Sequence, residues 1–173
     1  WLIKRADTGV VDALFSISAT SPTMPTNYTL KRRIGAVRTT TSAILAFEQH
    51  GDKFRYKAIS VAFNLDVVGS TARQLLTVKV PPNMIGRFNV TASYSTTGSG
   101  FAWAASTAFT DVTPATYYST TLIAYLAGDE TMEQEIPVDG SSQIAFRVSN
   151  AANSLFGCQV LGWIDRRGKE EKA

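Results

Sequence analysis

Between Ile59 and Val67 every second residue faces one way: Ile59, Val61, Phe63, Leu65 and Val67 alternate with Ser60, Ala62, Asn64 and Asp66. A period of two is the spacing of side chains along one face of a β-strand, whereas an amphipathic helix repeats its apolar positions every three to four residues. The pattern recurs. Phe88, Val90, Ala92 and Tyr94 oppose Arg87, Asn89, Thr91, Ser93 and Ser95; Met132, Ile136 and Val138 alternate with Glu133 and Glu135; Ile144, Phe146 and Val148 alternate with Ala145, Arg147 and Ser149. Each run predicts a strand with one dry face and one wet face.

Turn chemistry divides the runs. Asp7-Thr8-Gly9 joins the first pair of strands, Gly51-Asp52 separates strands at Phe47 and Phe54, and Asp139-Gly140-Ser141 turns the Met132 strand into the Ile144 strand. Pro81-Pro82-Asn83 ends a run that reads as strand to Val80, because proline donates no ladder hydrogen bond. The best helical stretch, Ser70 to Leu76, is short and reads equally as the start of a strand. Many short alternating strands with regular turns predict an all-β domain of about ten strands, an antiparallel two-layer β-sandwich of jelly-roll type. The 173 residues are expected to form one domain with a large core, residues 166–173 being a loose polar tail.

Composition narrows the function classes. Charged residues make up 18% of the chain, against about 25% in an average soluble domain, and Ser and Thr take their place. The net charge of +3 comes from local clusters at Lys31, Arg32, Arg33 and at Arg166, Arg167, Lys169. A nucleic-acid binder carries a larger basic surplus with interleaved aromatic residues, so these clusters read as edge charges that keep strands from pairing with neighbours. The lone Cys158 excludes an internal disulfide and reads as core packing. No apolar run approaches the length of a membrane span, and the opening Trp1-Leu2-Ile3 does not read as a signal peptide, lacking a basic-then-apolar pattern. The sequons at Asn27 and Asn89 carry information only in a secreted eukaryotic protein.

The segment Asn27 to Phe54, NYTLKRRIGAVRTTTSAILAFEQHGDKF, joins a basic strand, a short turn, a Phe-Glu-Gln strand and a Gly-Asp turn. It resembles a segment recurrent in tail-fibre and other appendage proteins of tailed bacteriophages and prophages. Leu2 to Phe15, LIKRADTGVVDALF, fits the same pattern, so the resemblance covers roughly the first third of the chain. It departs at Thr39, Thr40, Thr41, Ser42 and Ala43, which fill a turn that is Asp-Gly-rich in the phage proteins. The resemblance implies a virion component on the outside of the particle, assembled as a homotrimer with other virion proteins. It implies no enzymatic chemistry, cofactor or metal. The apolar start without Met reads as a strand joined partway, making this the C-terminal piece of a longer appendage protein.

Catalytic constellations are scarce. A serine or cysteine triad would depend on the single His50, which sits beside the Gly51-Asp52 turn, and no G-x-S-x-G elbow is present. One histidine and one cysteine are too few for a zinc shell. Asp129, Glu130, Glu133 and Glu135 form the dense acidic group. Glu133 and Glu135 share the wet face of one strand at about 7 Å, within the separation that glycosidase carboxylates use. No aromatic platform adjoins them, so they read as a solvated strand face, with a glycan depolymerase as the weaker alternative. A calcium site between Ala127 and Glu133 lacks EF-hand spacing.

The segment Ser95 to Thr116 is rich in aromatic rings and opens on Gly-Ser-Gly. Phe101, Trp103, Phe109, Tyr117 and Tyr118 are the candidate contacts for a receptor, a bacterial surface glycan or protein, because aromatic faces give large contact area for little lost entropy. The alternation Phe101, Trp103, Ala105 also fits one more strand or a subunit contact. In the last strand Cys158, Val160, Gly162 and Ile164 face one side while Leu161 and Trp163 face the other, which marks Leu161 and Trp163 as candidates for an oligomer interface. The expected function is host-surface attachment as part of a virion appendage, with a purely structural virion protein as the alternative.

Overall fold

A computed structural model of the chain describes residues 1–40, 43–63, 71–94, 100–114, 122–126, 130–149 and 154–167, and of residues 59–63, 92–94, 100–101, 122–126, 130 and 154–155 it describes the backbone. The described residues form twelve strands and no helix. Leu65, Val67, Asp129 and the tail from Gly168 onward lie outside them. Where the sequence suggests one domain, the chain divides into two compact units, one of Trp1–Val37 with Asp165–Ala173 and one of Arg38–Ile164.

The larger unit contains β4 (Phe47–His50), β5 (Lys53–Phe63), β6 (Gln74–Thr77), β7 (Ile85–Tyr94), β8 (Gly100–Ser106), β9 (Leu122–Leu126), β10 (Glu130–Pro137), β11 (Gln143–Val148) and β12 (Ser154–Ile164). Its antiparallel pairs are nested: β5 with β12, β6 with β11, β7 with β10 and β8 with β9. That is the pairing of one long ribbon. The ribbon is rolled so that β12 also pairs with β7 and β11 with β8, giving the sheets β10-β7-β12-β5-β4 and β6-β11-β8-β9. This is the strand order of a jelly roll, with β4 added beside β5.

Alternation explains the core. Phe88 and Val90 of β7 lie opposite Val160 and Cys158 of β12, and all four are buried. From the second sheet Ile144, Phe146 and Val148 of β11 turn inward with Ala102 and Ala104 of β8. The rings of Phe146 and Phe156 stack 4.2 Å apart, joining the two layers. Cys158 is core packing, and burial pushes its thiol up to about 12. Met132 departs from the expected pattern, being exposed on the edge strand β10. Within the aromatic-rich segment, Gly100–Ser106 form β8, which occupies an internal place in its sheet, and the loop begins after Ser106.

The apolar double face of β12 has a local cause. The register shifts between Val160 and Gly162, so that Val160 pairs with Phe88 while Gly162 pairs with Arg87 and Trp163 with Gly86. Leu161 is the extra residue of a bulge, which reverses the alternation. Trp163 thereby joins Phe156, Cys158 and Val160 on the inner face, fully buried, with its indole stacked 4.9 Å from Phe54 and edge-on to Phe47. The assignment of Trp163 to an oligomer interface is thus corrected: its own chain covers it. Leu161, half-buried, stays at the bulge. Gly162 is required here because a Cβ would lie 1.9 Å from the Phe54 carbonyl oxygen.

The smaller unit is built on β1 (Leu2–Arg5), β2 (Val11–Ala13) and β3 (Tyr28–Arg32), in the antiparallel order β2-β1-β3. The expected Asp7-Thr8-Gly9 turn joins β1 to β2, with Asp7 holding Arg5 at 2.7 Å and accepting from the Thr8 N–H. Ile3 is its one buried large aliphatic side chain among the described residues. A polar tie supplies what the small core lacks. The Arg33 guanidinium donates two bonds, of 2.7 and 2.8 Å, to the fully buried Asp165 carboxylate, which also accepts from the Arg167 N–H. Arg167, within the tail expected to be loose, is therefore tied to the folded unit through Asp165.

Candidate functional site

The candidate aromatic surface is the outer face of the sheet β6-β11-β8-β9. Register places Trp103 opposite Arg147 and Ala105 opposite Ala145, on the face turned away from Phe146 and Ala104. After β8 the chain folds back across this face. Phe109 meets Trp103 edge-on at 5.5 Å, and the Trp103 indole N–H donates to the Val112 carbonyl at 2.8 Å. Trp103 is left 2% exposed, so it has no ring face to offer a ligand, and its place among the receptor contacts is corrected to that of a loop anchor. Phe109 remains half-buried.

Two arginines fasten the same loop. Arg147 donates to Asp111 Oδ1 at 2.9 Å and to the Thr71 carbonyl, while Arg73 donates to the Thr107 carbonyl. Neither arginine stands out in the sequence as a site residue. A wet-face arginine within an apolar strand gives no signal of a partner that lies 36 residues away at Asp111. What the arrangement can do is hold residues 107–114 in one conformation on a rigid sheet, the condition under which a loop binds without an ordering cost. Phe101 lies on β8 opposite Tyr125, and its side chain, like Tyr117 and Tyr118 entirely, lies outside the described residues.

The acidic pair is differently placed. Glu133 and Glu135 face outward on β10, and both reach the one guanidinium of Arg87, Glu135 at 3.8 Å. They are roughly half exposed on the outward face of the strand. A glycosidase needs its carboxylates to flank a sugar bond, and here a cation stands between them. His50 is exposed at the end of β4, opposite Lys53. Among the described residues no three His, Cys, Asp or Glu side chains come together as a metal site, and no helix is long and apolar enough to cross a membrane.

The surface that sequence reasoning passed over lies in the smaller unit. Leu2, Val10, Val11, Phe15, Ile17, Leu30 and Ile34 are all exposed, Phe15 at 78%. On one face of the three-stranded sheet Leu2 lies between Ala13 and Arg32, and Lys4 lies between Val11 and Leu30. Adjacent apolar pairs, Leu2-Ile3 and Val10-Val11, were the signal available: in a strand such a pair sends one apolar side chain to each face. This unit is also the basic one, with nine Lys and Arg against five Asp and Glu, while Arg38–Ile164 has eight against nine. Compared with protein-family models and with curated proteins, the chain matches none.

Proposed function

We propose that this chain is a non-enzymatic component of a bacteriophage virion appendage, of tail-fibre type, in which the jelly roll is a rigid body and the smaller unit is the joint to other virion proteins. The observation that carries the reading is the concentration of exposed apolar side chains in a basic unit built on a three-stranded sheet, with Ile3 its one buried large aliphatic side chain among the described residues. Monomeric soluble proteins rarely leave such surface uncovered. The phage-like segments support it from the sequence side, since Leu2–Phe15 and Asn27–Phe54 supply all three strands of that sheet.

Host-surface attachment is the second reading, favoured by the fastened loop 107–114 with its half-buried Phe109. Several copies in a homotrimeric appendage would multiply a weak glycan or protein contact into useful avidity. Purified chain added to host cells before infection separates the two: competition for adsorption selects attachment. Presence in purified particles without competition selects the structural joint. Absence from particles overturns both.

A further inference from the structure

The geometry points to a second copy of this chain as the occupant of the exposed face of the three-stranded sheet, docking through its edge strand β10. Deepening the assembly reading above, on which it rests, the inference starts from charge. On the exposed face Ala13, Leu2 and Arg32 form one row and Val11, Lys4 and Leu30 the next. Neither Lys4 nor Arg32 is ion-paired among the described residues. Lys4 sits on the central strand between two exposed aliphatic side chains, so whatever covers Val11 and Leu30 also covers its ammonium group. A lipid surface has no fixed carboxylate at that depth, and a buried unpaired charge is costly. Two such faces meeting symmetrically would oppose Lys4 and Arg32 to their own copies.

The complement lies elsewhere on the same chain. Glu133 and Glu135 of β10 face outward around the one guanidinium of Arg87, with no Lys or Arg in the strand itself, so this face carries one negative charge in excess. Glu133 and Glu135 stand about 7 Å apart on one strand face, the two-residue spacing that also separates Leu2 from Lys4. Because β10 ends its sheet, its outer edge is not occupied by another described strand of this chain. The contact joins different patches on the two copies, so it is heterologous and propagates around a ring or along a filament.

Light scattering on the full chain at tens of micromolar and low salt tests this. The wild type is expected at a multiple of 18.7 kDa. Lys4→Glu with Arg32→Glu, and separately Glu133→Lys with Glu135→Lys, are each expected to give monomer. The chain carrying all four reversals is expected to reassemble, an outcome that a folding defect could not produce. A wild-type chain that stays at 18.7 kDa overturns the inference, as do reversals that leave the mass unchanged or a four-fold variant that stays monomeric. A monomer that floats with phosphatidylglycerol vesicles overturns it too and assigns the face to lipid instead. The adsorption and particle assays above report on the virion reading separately, so assembly can fail while that reading stands, and the reverse.

Discussion

In the Arg38–Ile164 unit, apolar side chains pair across two layers, and twenty-two hydrophobic residues among those described are buried; in the unit of the two chain ends, Ile3 is the one that is. Among the described residues the exposed large hydrophobic side chains divide the other way, seven in the terminal unit and three in the jelly roll. Two layers can shelter both inner faces, whereas a single three-stranded sheet has nothing of its own to lay against its second face. The jelly roll therefore owes its stability to apolar burial. The terminal unit relies on a polar clasp and leaves its apolar surface for something else.

The contrast breaks if the jelly roll does not depend on its packed aromatic residues. Trp163→Ala removes a fully buried indole that packs on Phe47, Phe54 and Tyr56, and should cost about 3–5 kcal/mol. Denaturant unfolding followed by far-ultraviolet circular dichroism would show it. A loss below about 1 kcal/mol would mean that the β12 bulge does not aim Trp163 inward.

For the terminal unit the matching test is electrostatic. Arg33→Met leaves the Asp165 carboxylate, 0% exposed, without its cation and should cost about 3 kcal/mol. Hydrogen exchange should rise in β1 and β3 while β7 and β12 keep their protection. Arg33→Met combined with Asp165→Leu should restore most of the loss, because replacing both partners of a buried pair is often neutral. Equal loss of protection in all four strands would show that the two units unfold together.

A smaller effect belongs to the turn between β10 and β11. Burial pushes the Asp139 carboxyl up, but bonds from the N–H groups of Gln143 and Ser141, both 2.8 Å, outweigh it and hold the group below its ordinary value of 3.8. A lowered value in the folded state means that the stabilisation is present above pH 3.8 and is lost as pH falls through the folded value. Asp139→Ala should cost about 1 kcal/mol at neutral pH and flatten this part of the acid limb, as read by thermal unfolding from neutral pH down through the carboxylate range.

These tests follow the line along which the sequence was readable. Period-two alternation located the inner residues Phe88, Val90, Ile144, Phe146 and Val148, because a strand's own geometry dictates which face each takes. The turns at Asp7, Gly51 and Asp139 were legible for the same local reason. Strand order was not, since nesting β5 with β12 joins residues far apart in the chain, such as Phe63 with Cys158, and leaves no local mark. Trp163 defeated the alternation because one bulged residue, Leu161, reverses every side chain after it. Trp103 looked like a binding residue because an aromatic ring on a wet face reads as exposed until the folded-back loop is seen to cover it.

The smallest stability effect is also the one most informative about the terminal unit. Leu30 is 53% exposed beside Lys4, so Leu30→Ser removes little packing and should change unfolding free energy by less than about 0.5 kcal/mol. Phe146→Ser in the jelly roll would unfold the protein, because it empties the stack on Phe156 and buries a hydroxyl. If Leu30 serves a partner, Leu30→Ser lowers the assembled mass in light scattering while the melting curve of the dilute protein stays in place. A Leu30→Ser chain that melts earlier even when dilute would show that the residue packs within its own unit. The exposed sheet would then be finishing the fold rather than waiting for a partner.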